Sequence, residues 1–190
     1  MLLGRYTCVL DACVLHPAFV RASLLWFAAE RLYRPIWSDH IFVEWARSLE
    51  RRFDDPADKL RVQRAAMEDA FPEASVAVPQ SLIDGLAGPD PDDRHVVAAA
   101  VVSKADAIVT TNLKDFPPEL CEPLRIEVVH PDDFLVNVID LHQERALAAC
   151  RRHREVLKNP SYTAEDFAAK FEAAGLIQTH RRLAKLTDLL

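Results

Sequence analysis

The sequence of 190 residues has no apolar run approaching the roughly 20 residues that a membrane-spanning helix needs. Its first residues, MLLGRYTCVLDAC, contain no basic region followed by a cleavage site, so no signal peptide is indicated. The chain also contains no internal repeat and no low-complexity segment. The absence of a membrane span and of a signal peptide predicts a cytosolic protein. The length of 190 residues predicts one main domain with an additional segment.

Cysteine is sparse, and its spacing carries no metal signature. The chain has four cysteines, Cys8, Cys13, Cys121 and Cys150, and none of the intervals between them is typical of a zinc site. Four such residues in 190 also do not suggest a disulfide framework. We therefore interpret them as reduced thiols in the core.

Positive charge is in short supply over most of the chain, whose formal net charge is −6. Residues 140 to 190 carry nine Lys and Arg against seven Asp and Glu, a net of +2, which leaves 14 minus 22, or −8, for residues 1 to 139. This balance argues against broad coating of nucleic acid by the main body. A metal ion held by acids can reverse the local sign, so a phosphate substrate is not excluded.

What the sequence does contain is an alternation of short β-branched runs and helical segments. Four runs predict strands: YTCVL, SVAVP, AIVTT and RIEVVH. Helices are predicted from Pro17, over SDHIFVEWARSLERRF to Phe53 with Ser38 as a candidate N-cap, over PADKLRVQRAAMEDAF, over VVAAAVV and from near Pro131, and a helical turn or two over PQSLIDGLAG. This order predicts an α/β fold with a parallel sheet wrapped by helices.

From about Phe134 onward the pattern is helical only. It breaks at residues 158 to 161, resumes with a helix capped by Ser161 or Thr163, and stops at Gly175 before a last helical segment. A basic run within this tail could contact phosphate, but a solvated helix face is the commoner explanation for such a run. Its members are Arg151, Arg152, Arg154 and Lys158, together with His153.

The stretch from 89 to 116 combines acids at a helix start with a strand that ends in polar residues. Asp90, Asp92 and Asp93 precede VVAAAVV, and capping of the helix accounts for two of the three. The run AIVTT is followed by Asn112 and Asp115. Because ligands collect at the carboxyl ends of strands in parallel sheets, this stretch is the first candidate for a functional site.

Two further acids have positions that favour a site, although each has a simpler alternative. Asp11 ends the first predicted strand, where a turn or cap residue is equally common. Glu44 lies about 60° outside the apolar side of its helix at 100° per residue, where it either reaches a cleft or pairs with Ser48 or Arg47 on a solvated face. The angle alone does not distinguish between these two positions for Glu44.

If these acids converge, they imply a divalent metal site. Asp11, Glu44, Asp93 and either Asn112 or Asp115 would repel one another unless a hard cation such as Mg²⁺ or Mn²⁺ neutralised them. Such an ion can activate water to hydrolyse a phosphodiester. We leave out His95, because a histidine at a helix start is more often a capping or packing residue than a base.

The segments VLDAC, the helical Glu44 and DDRHVVAAAVVSKADAIVTTNLKDFP together resemble the PIN-domain ribonucleases, the family of the bacterial VapC-type toxins. The resemblance covers residues 6 to about 135. It implies a three-layer α/β/α nuclease domain over residues 1–135, with Asp11, Glu44 and Asp93 as catalytic and metal-binding acids. The family's Thr-x-Asp falls on residues 110 to 112 with Asn112 in the acid's place, so Asp115 is the alternative ligand.

The resemblance further implies a function and partners. It predicts a Mg²⁺- or Mn²⁺-dependent endoribonuclease that acts as a toxin on RNA, is held inactive by an antitoxin protein, and forms a possible homodimer. The helical C-terminal extension over residues 136–190 resembles that of a longer toxin-like subgroup. The alternative is a non-catalytic PIN-like module that binds RNA or protein. An aspartyl phosphatase fits poorly, because Cys13 stands where such enzymes usually have a second Asp.

Overall fold

The computed structural model describes residues 6–50, 57–86 and 90–190. Its centre is a parallel sheet of five strands in the order β3-β2-β1-β4-β5. The strands are β1 (Thr7–Leu10), β2 (Arg34–Ser38), β3 (Ser75–Val76), β4 (Ala107–Val109) and β5 (Glu127–Val129). Every residue of β1 and β4 is buried, so other elements cover both faces of the central strands, as parallel sheets require. The predicted α/β fold with a parallel sheet is confirmed.

The sequence pattern missed β2, which is the strand RPIWS. Pro35 pairs with Cys8 in the register of β1 and β2, although proline donates no hydrogen bond and normally argues against a strand inside a sheet. The strand forms because Ile36 and Trp37 are fully buried, and burying a large apolar side chain contributes about 1.5–3 kcal/mol. The predicted strand SVAVP is shorter than expected, since only Ser75 and Val76 pair with β2.

The helices follow the predicted segments closely. Pro17 is the N-cap of α2, and the Ser38 hydroxyl accepts from the Ile41 N–H at 3.4 Å at the start of α3. The predicted end of that helix at Phe53 lies outside the described residues. The helices are α1 (Ala12–Leu15), α2 (Ala18–Ala29), α3 (Asp39–Glu50), α4 (Ala57–Ala70), α5 (Gln80–Gly85), α6 (Arg94–Ser103), α7 (Pro118–Cys121), α8 (Pro131–Leu141), α9 (Gln143–Val156), α10 (Ala164–Ala173) and α11 (Ile177–Leu183).

The helices after residue 130 continue the core of the sheet domain. One cluster of buried apolar side chains runs from β1 through α9 and α10 to Leu183 and Leu190. Phe19 on α2 contacts the rings of Phe167 and Phe171 on α10. The division of the chain at 135/136 stays a prediction.

Two local predictions for the C-terminal helices can be compared with the structure. Thr163, and not Ser161, is the N-cap of α10, because its hydroxyl accepts from the Asp166 N–H at 3.1 Å. Gly175 follows α10 with φ +81, a left-handed conformation in which glycine is not strained. All four cysteines lie within the described residues; Cys8, Cys121 and Cys150 are buried as predicted, whereas Cys13 is half-buried. No helix that the structure describes is long and apolar enough to cross a bilayer.

The topology places the ends of β1 and β4 side by side. The two strands pair directly, and the backbone N–H of Asp11 donates to the carbonyl of Val109 at 3.2 Å. Asp11 therefore lies beside Thr110, the residue that follows β4. The candidate site is built around this carboxyl edge of the sheet.

Candidate active site at the carboxyl edge of the sheet

Asp11 is a buried carboxylate with one oxygen bonded and one oxygen unpartnered. Only 2% of the residue is exposed. Oδ2 accepts from the Thr110 hydroxyl at 2.7 Å and from the Cys13 thiol at 3.1 Å. Oδ1 is buried and has no hydrogen-bond partner among the described residues. Asp11 makes no capping bond to α1, so the structure disfavours the alternative that it is only a cap.

The electrostatics of Asp11 reflect this burial. Burial raises the pKa of the carboxyl, the bonds from Thr110 and Cys13 oppose that rise, and the charge of Glu44 adds to it. An ionised carboxylate that is buried without full compensation is costly. A cation at Oδ1 would remove that cost.

Thr110 and Cys13 connect the ends of β1 and β4, and sequence reasoning did not include either of them in the site. The Thr110 hydroxyl donates to Asp11 and accepts from the Asn112 N–H at 3.0 Å. The Cys13 sulfur accepts from the Thr111 N–H at 3.2 Å. Burial raises the pKa of the Cys13 thiol to about 11, with the charge of Asp11 adding to the rise, so this thiol is a hydrogen-bond donor and not a nucleophile.

Asp93 lies at the N-cap position of α6 but does not cap the helix. Its side chain makes no capping hydrogen bond, whereas Asp90 accepts from the Asp92 N–H at 3.1 Å and so stabilises the preceding turn. Burial raises the pKa of Asp93 to about 6, and the negative charges of Asp11, Asp115, Glu44 and Asp90 add to the rise, in that order. The four other acids are therefore close enough to Asp93 for their negative charges to act on it.

Glu44 approaches the same region from α3 and faces a histidine. Its Oε2 lies 3.3 Å from Nε2 of His95, a close approach without hydrogen-bond geometry, and both atoms are buried with no hydrogen-bond partner in the part of the chain that the structure describes. Ser48, one of the partners considered for Glu44, donates instead to the carbonyl of Trp45 at 2.7 Å. The interpretation of His95 as a packing residue was incomplete, because its imidazole is buried against a site acid.

Asn112 and Asp115 differ in their relation to the other acids. Asn112 is exposed, and the contact described above is made by its backbone N–H and not by its side chain. Asp115 is half-buried, and its charge contributes to the raised pKa of Asp93. The structure thus brings Asp115 into electrostatic contact with the acid cluster and shows no such contact for the Asn112 amide. Their roles as ligands stay predictions.

The donors in this cluster suit a hard divalent cation. They are carboxylate oxygens, and the unpartnered Oδ1 of Asp11 together with the mutual repulsion around Asp93 indicates that positive charge is missing. Among the described side chains, no three His, Cys, Asp or Glu stand close enough to form a ready-made metal cage. Mg²⁺ does not require one, because it retains several waters and usually binds one or two carboxylates. The residues therefore fit such an ion in chemistry.

Comparison with known proteins identifies the family. A sequence model of a protein family, described as PIN domain, matches residues 7–114, which is more than half of the chain. This chain belongs to the PIN-domain family. A second model, described as VapC50 C-terminal domain, matches residues 131–185 of the same PIN-domain protein. The resemblance predicted from the sequence is confirmed.

One curated relative is a candidate ribonuclease named VapC50 from Mycobacterium tuberculosis strain H37Rv. It is 45% identical to this PIN-domain protein over 71 residues, which are 37% of this chain and 42% of the relative. The match thus spans about two fifths of the relative's length. No solved structure matches the chain. Of the five predicted site residues, Asp115 alone lies outside the matched PIN segment, by one residue.

Proposed function

We propose that this PIN-domain protein is a divalent-metal-dependent endoribonuclease and the toxin of a toxin-antitoxin pair. The observation that carries the proposal is the buried Asp11, whose Oδ1 has no described partner and whose charge adds to the rise that burial causes in the pKa of Asp93. The similarity to a candidate ribonuclease supports the same activity. The family models for the PIN domain and for the VapC50 C-terminal domain support the toxin assignment.

Asp11, Glu44 and Asp93 would hold Mg²⁺ or Mn²⁺, with Asp115 or Asn112 as a further ligand. When bound, the ion supplies an activated water and stabilises the charge that develops on a phosphodiester. The chain's own contribution is to orient the ligands: Thr110 and Cys13 hold Oδ2 of Asp11, while Oδ1 has no hydrogen-bond partner among the described residues. The burial of Asp11 also keeps bulk water from screening its charge.

The proposed partners are RNA as substrate, an antitoxin protein and a second copy of the chain, all in the cytoplasm. An apolar groove of about 380 Å³ between α2 and α4 supports a protein partner. Leu25, Trp26 and Phe71 line it together with Arg21. Burial lowers the pKa of Arg21 to about 10, and its guanidinium lies 4.7 Å from the centre of the Trp45 ring.

A non-catalytic PIN-like module is the second candidate. In such a module the acids of this region would hold a structural ion. The two candidates differ in one measurable respect. The nuclease binds Mn²⁺ and cleaves RNA through the acid cluster, whereas the module binds RNA or protein without metal-dependent cleavage.

The decisive experiment compares Asp93→Asn with Asp92→Asn. Both changes remove one negative charge from the same turn, but Asp92 is exposed and contacts Asp90 only through its backbone N–H. With Mg²⁺ and single-stranded RNA, Asp93→Asn should lower the cleavage rate by about two orders of magnitude or more, because a metal ligand is weakened. Asp92→Asn should cleave like the parent.

Circular dichroism establishes that both variants are folded. Cleavage by folded Asp93→Asn at the parental rate in saturating Mg²⁺ would exclude catalysis at this site. Metal-independent RNA binding without cleavage by the parent would favour the non-catalytic module.

A further inference from the structure

His95 and Glu44 form a buried polar pair across two helices. Glu44 lies on α3 and His95 in the first turn of α6, and the imidazole Nε2 is 3.3 Å from the carboxylate Oε2. Each of these atoms is inaccessible to water and has no hydrogen-bond partner in the described part of the chain. Because unpaired buried polar atoms are costly, each atom is the natural partner of the other.

The two oxygens of Glu44 have different surroundings. Oε2 is buried against His95, while the side chain as a whole is 41% exposed. Glu44 is near the acid cluster, since its charge adds to the raised pKa of both Asp11 and Asp93. Glu44 therefore resembles Asp11 in one respect: one carboxylate oxygen faces a protein group, and the other has no hydrogen-bond partner among the described residues.

We propose that His95 is a positioning residue that holds Glu44 through Oε2 and leaves the other carboxylate oxygen to bind the divalent cation. This inference rests on the proposed function. His95 would also connect the positions of two ligands, Glu44 and Asp93, because Asp93 is two residues before His95 at the start of α6. Residues that orient a metal ligand commonly raise the metal affinity about 10- to 100-fold.

The test uses two replacements of similar size, His95→Gln and His95→Met, in the full-length protein. Gln keeps an N–H donor near the position of Nε2, whereas Met fills the space without a donor. The Mn²⁺ affinity of metal-free protein is measured by isothermal titration calorimetry, and RNA cleavage is followed as Mn²⁺ is varied. His95→Met should weaken Mn²⁺ binding by about 10- to 100-fold, and His95→Gln should recover most of that loss.

A double-mutant cycle separates positioning from packing. In a Glu44→Gln background, replacing His95 with Met should change the Mn²⁺ affinity no further, because the carboxylate that His95 holds is gone. Equal Mn²⁺ affinities for parent, His95→Gln and His95→Met would overturn the positioning role while leaving the nuclease proposal intact. A parent protein that binds no Mn²⁺ would overturn both.

Discussion

His153 makes the stability of this protein depend on pH in a direction that can be calculated. The imidazole is 98% buried between α2, α9 and α10, with 2% of the residue exposed. Its ring centre lies 4.9 Å from that of Phe19 and 5.3 Å from that of Phe167. The one described polar contact is Nδ1 to the Ser23 hydroxyl at 3.3 Å. Burial lowers the pKa of His153 from 6.5 to about 4.

The sign follows from proton linkage. Above pH 6.5 the imidazole is neutral in both the folded and the unfolded chain, so it imposes no electrostatic cost. As the pH falls from 6.5 towards 4, the unfolded chain binds a proton that the folded chain does not, and folded stability is lost. At about 1.4 kcal/mol per pKa unit, the full loss is about 3 kcal/mol, of which about 2 kcal/mol is reached at pH 5.

The measurement is urea unfolding of the parent and of His153→Leu at pH 7.5 and pH 5. Other groups titrate in this range; Asp93, whose pKa is raised to about 6, acts in the opposite direction, because the folded chain binds its proton first. The difference between parent and variant isolates His153. The parent should lose about 2 kcal/mol more than the variant between the two pH values. Parallel losses in both proteins would refute the assignment.

Three further predictions concern the Asp132 carboxylate, the Thr110 hydroxyl, and residues 112 and 115 after β4. Asp132→Ala should destabilise the fold by about 2–4 kcal/mol in urea, because a buried carboxylate that accepts from the start of α11 is lost; a loss below about 1 kcal/mol would contradict this. Thr110→Val should weaken Mn²⁺ binding about tenfold by freeing Asp11, and calorimetry showing the parental affinity would argue against that role. Asn112→Asp should tighten Mn²⁺ binding and raise RNA cleavage at low Mn²⁺ concentration. Asp115→Ala should lower cleavage only if Asp115 is the replacement ligand. An unchanged Mn²⁺ affinity for Asn112→Asp would show that residue 112 is not part of the site.

The sheet could be predicted to the extent that its strands are β-branched runs. β1 and β4 were found because their residues are apolar and the following residues are polar. β2 was missed because Pro35 argues locally against a strand, and its burial against β1 is a property of the whole fold. Local propensity and tertiary burial conflicted there, and burial decided the outcome.

The site shows a similar division between local and tertiary information. Asp11 and Asp93 could be found because a strand end and a helix start are local features. Thr110 contacts Asp11 from 99 residues away, and His95 faces Glu44 from the start of a different helix. Such partners depend on how the elements pack together, which neither periodicity nor spacing encodes.

The hydrogen bonds of Asp132 have a topological consequence. They join the start of α8 to the start of α11, 47 residues later, and the hydrogen bonds from Gln178 to Asp133 and from Arg182 to Asp140 join the same two helices, so the intervening chain is a closed loop. Residues 158 to 161 form an exposed turn within that loop. Because lengthening a closed loop costs only about 0.6 kcal/mol per doubling, a reporter peptide inserted at this turn should leave the hydrogen bonds between α8 and α11 and the acid cluster in place.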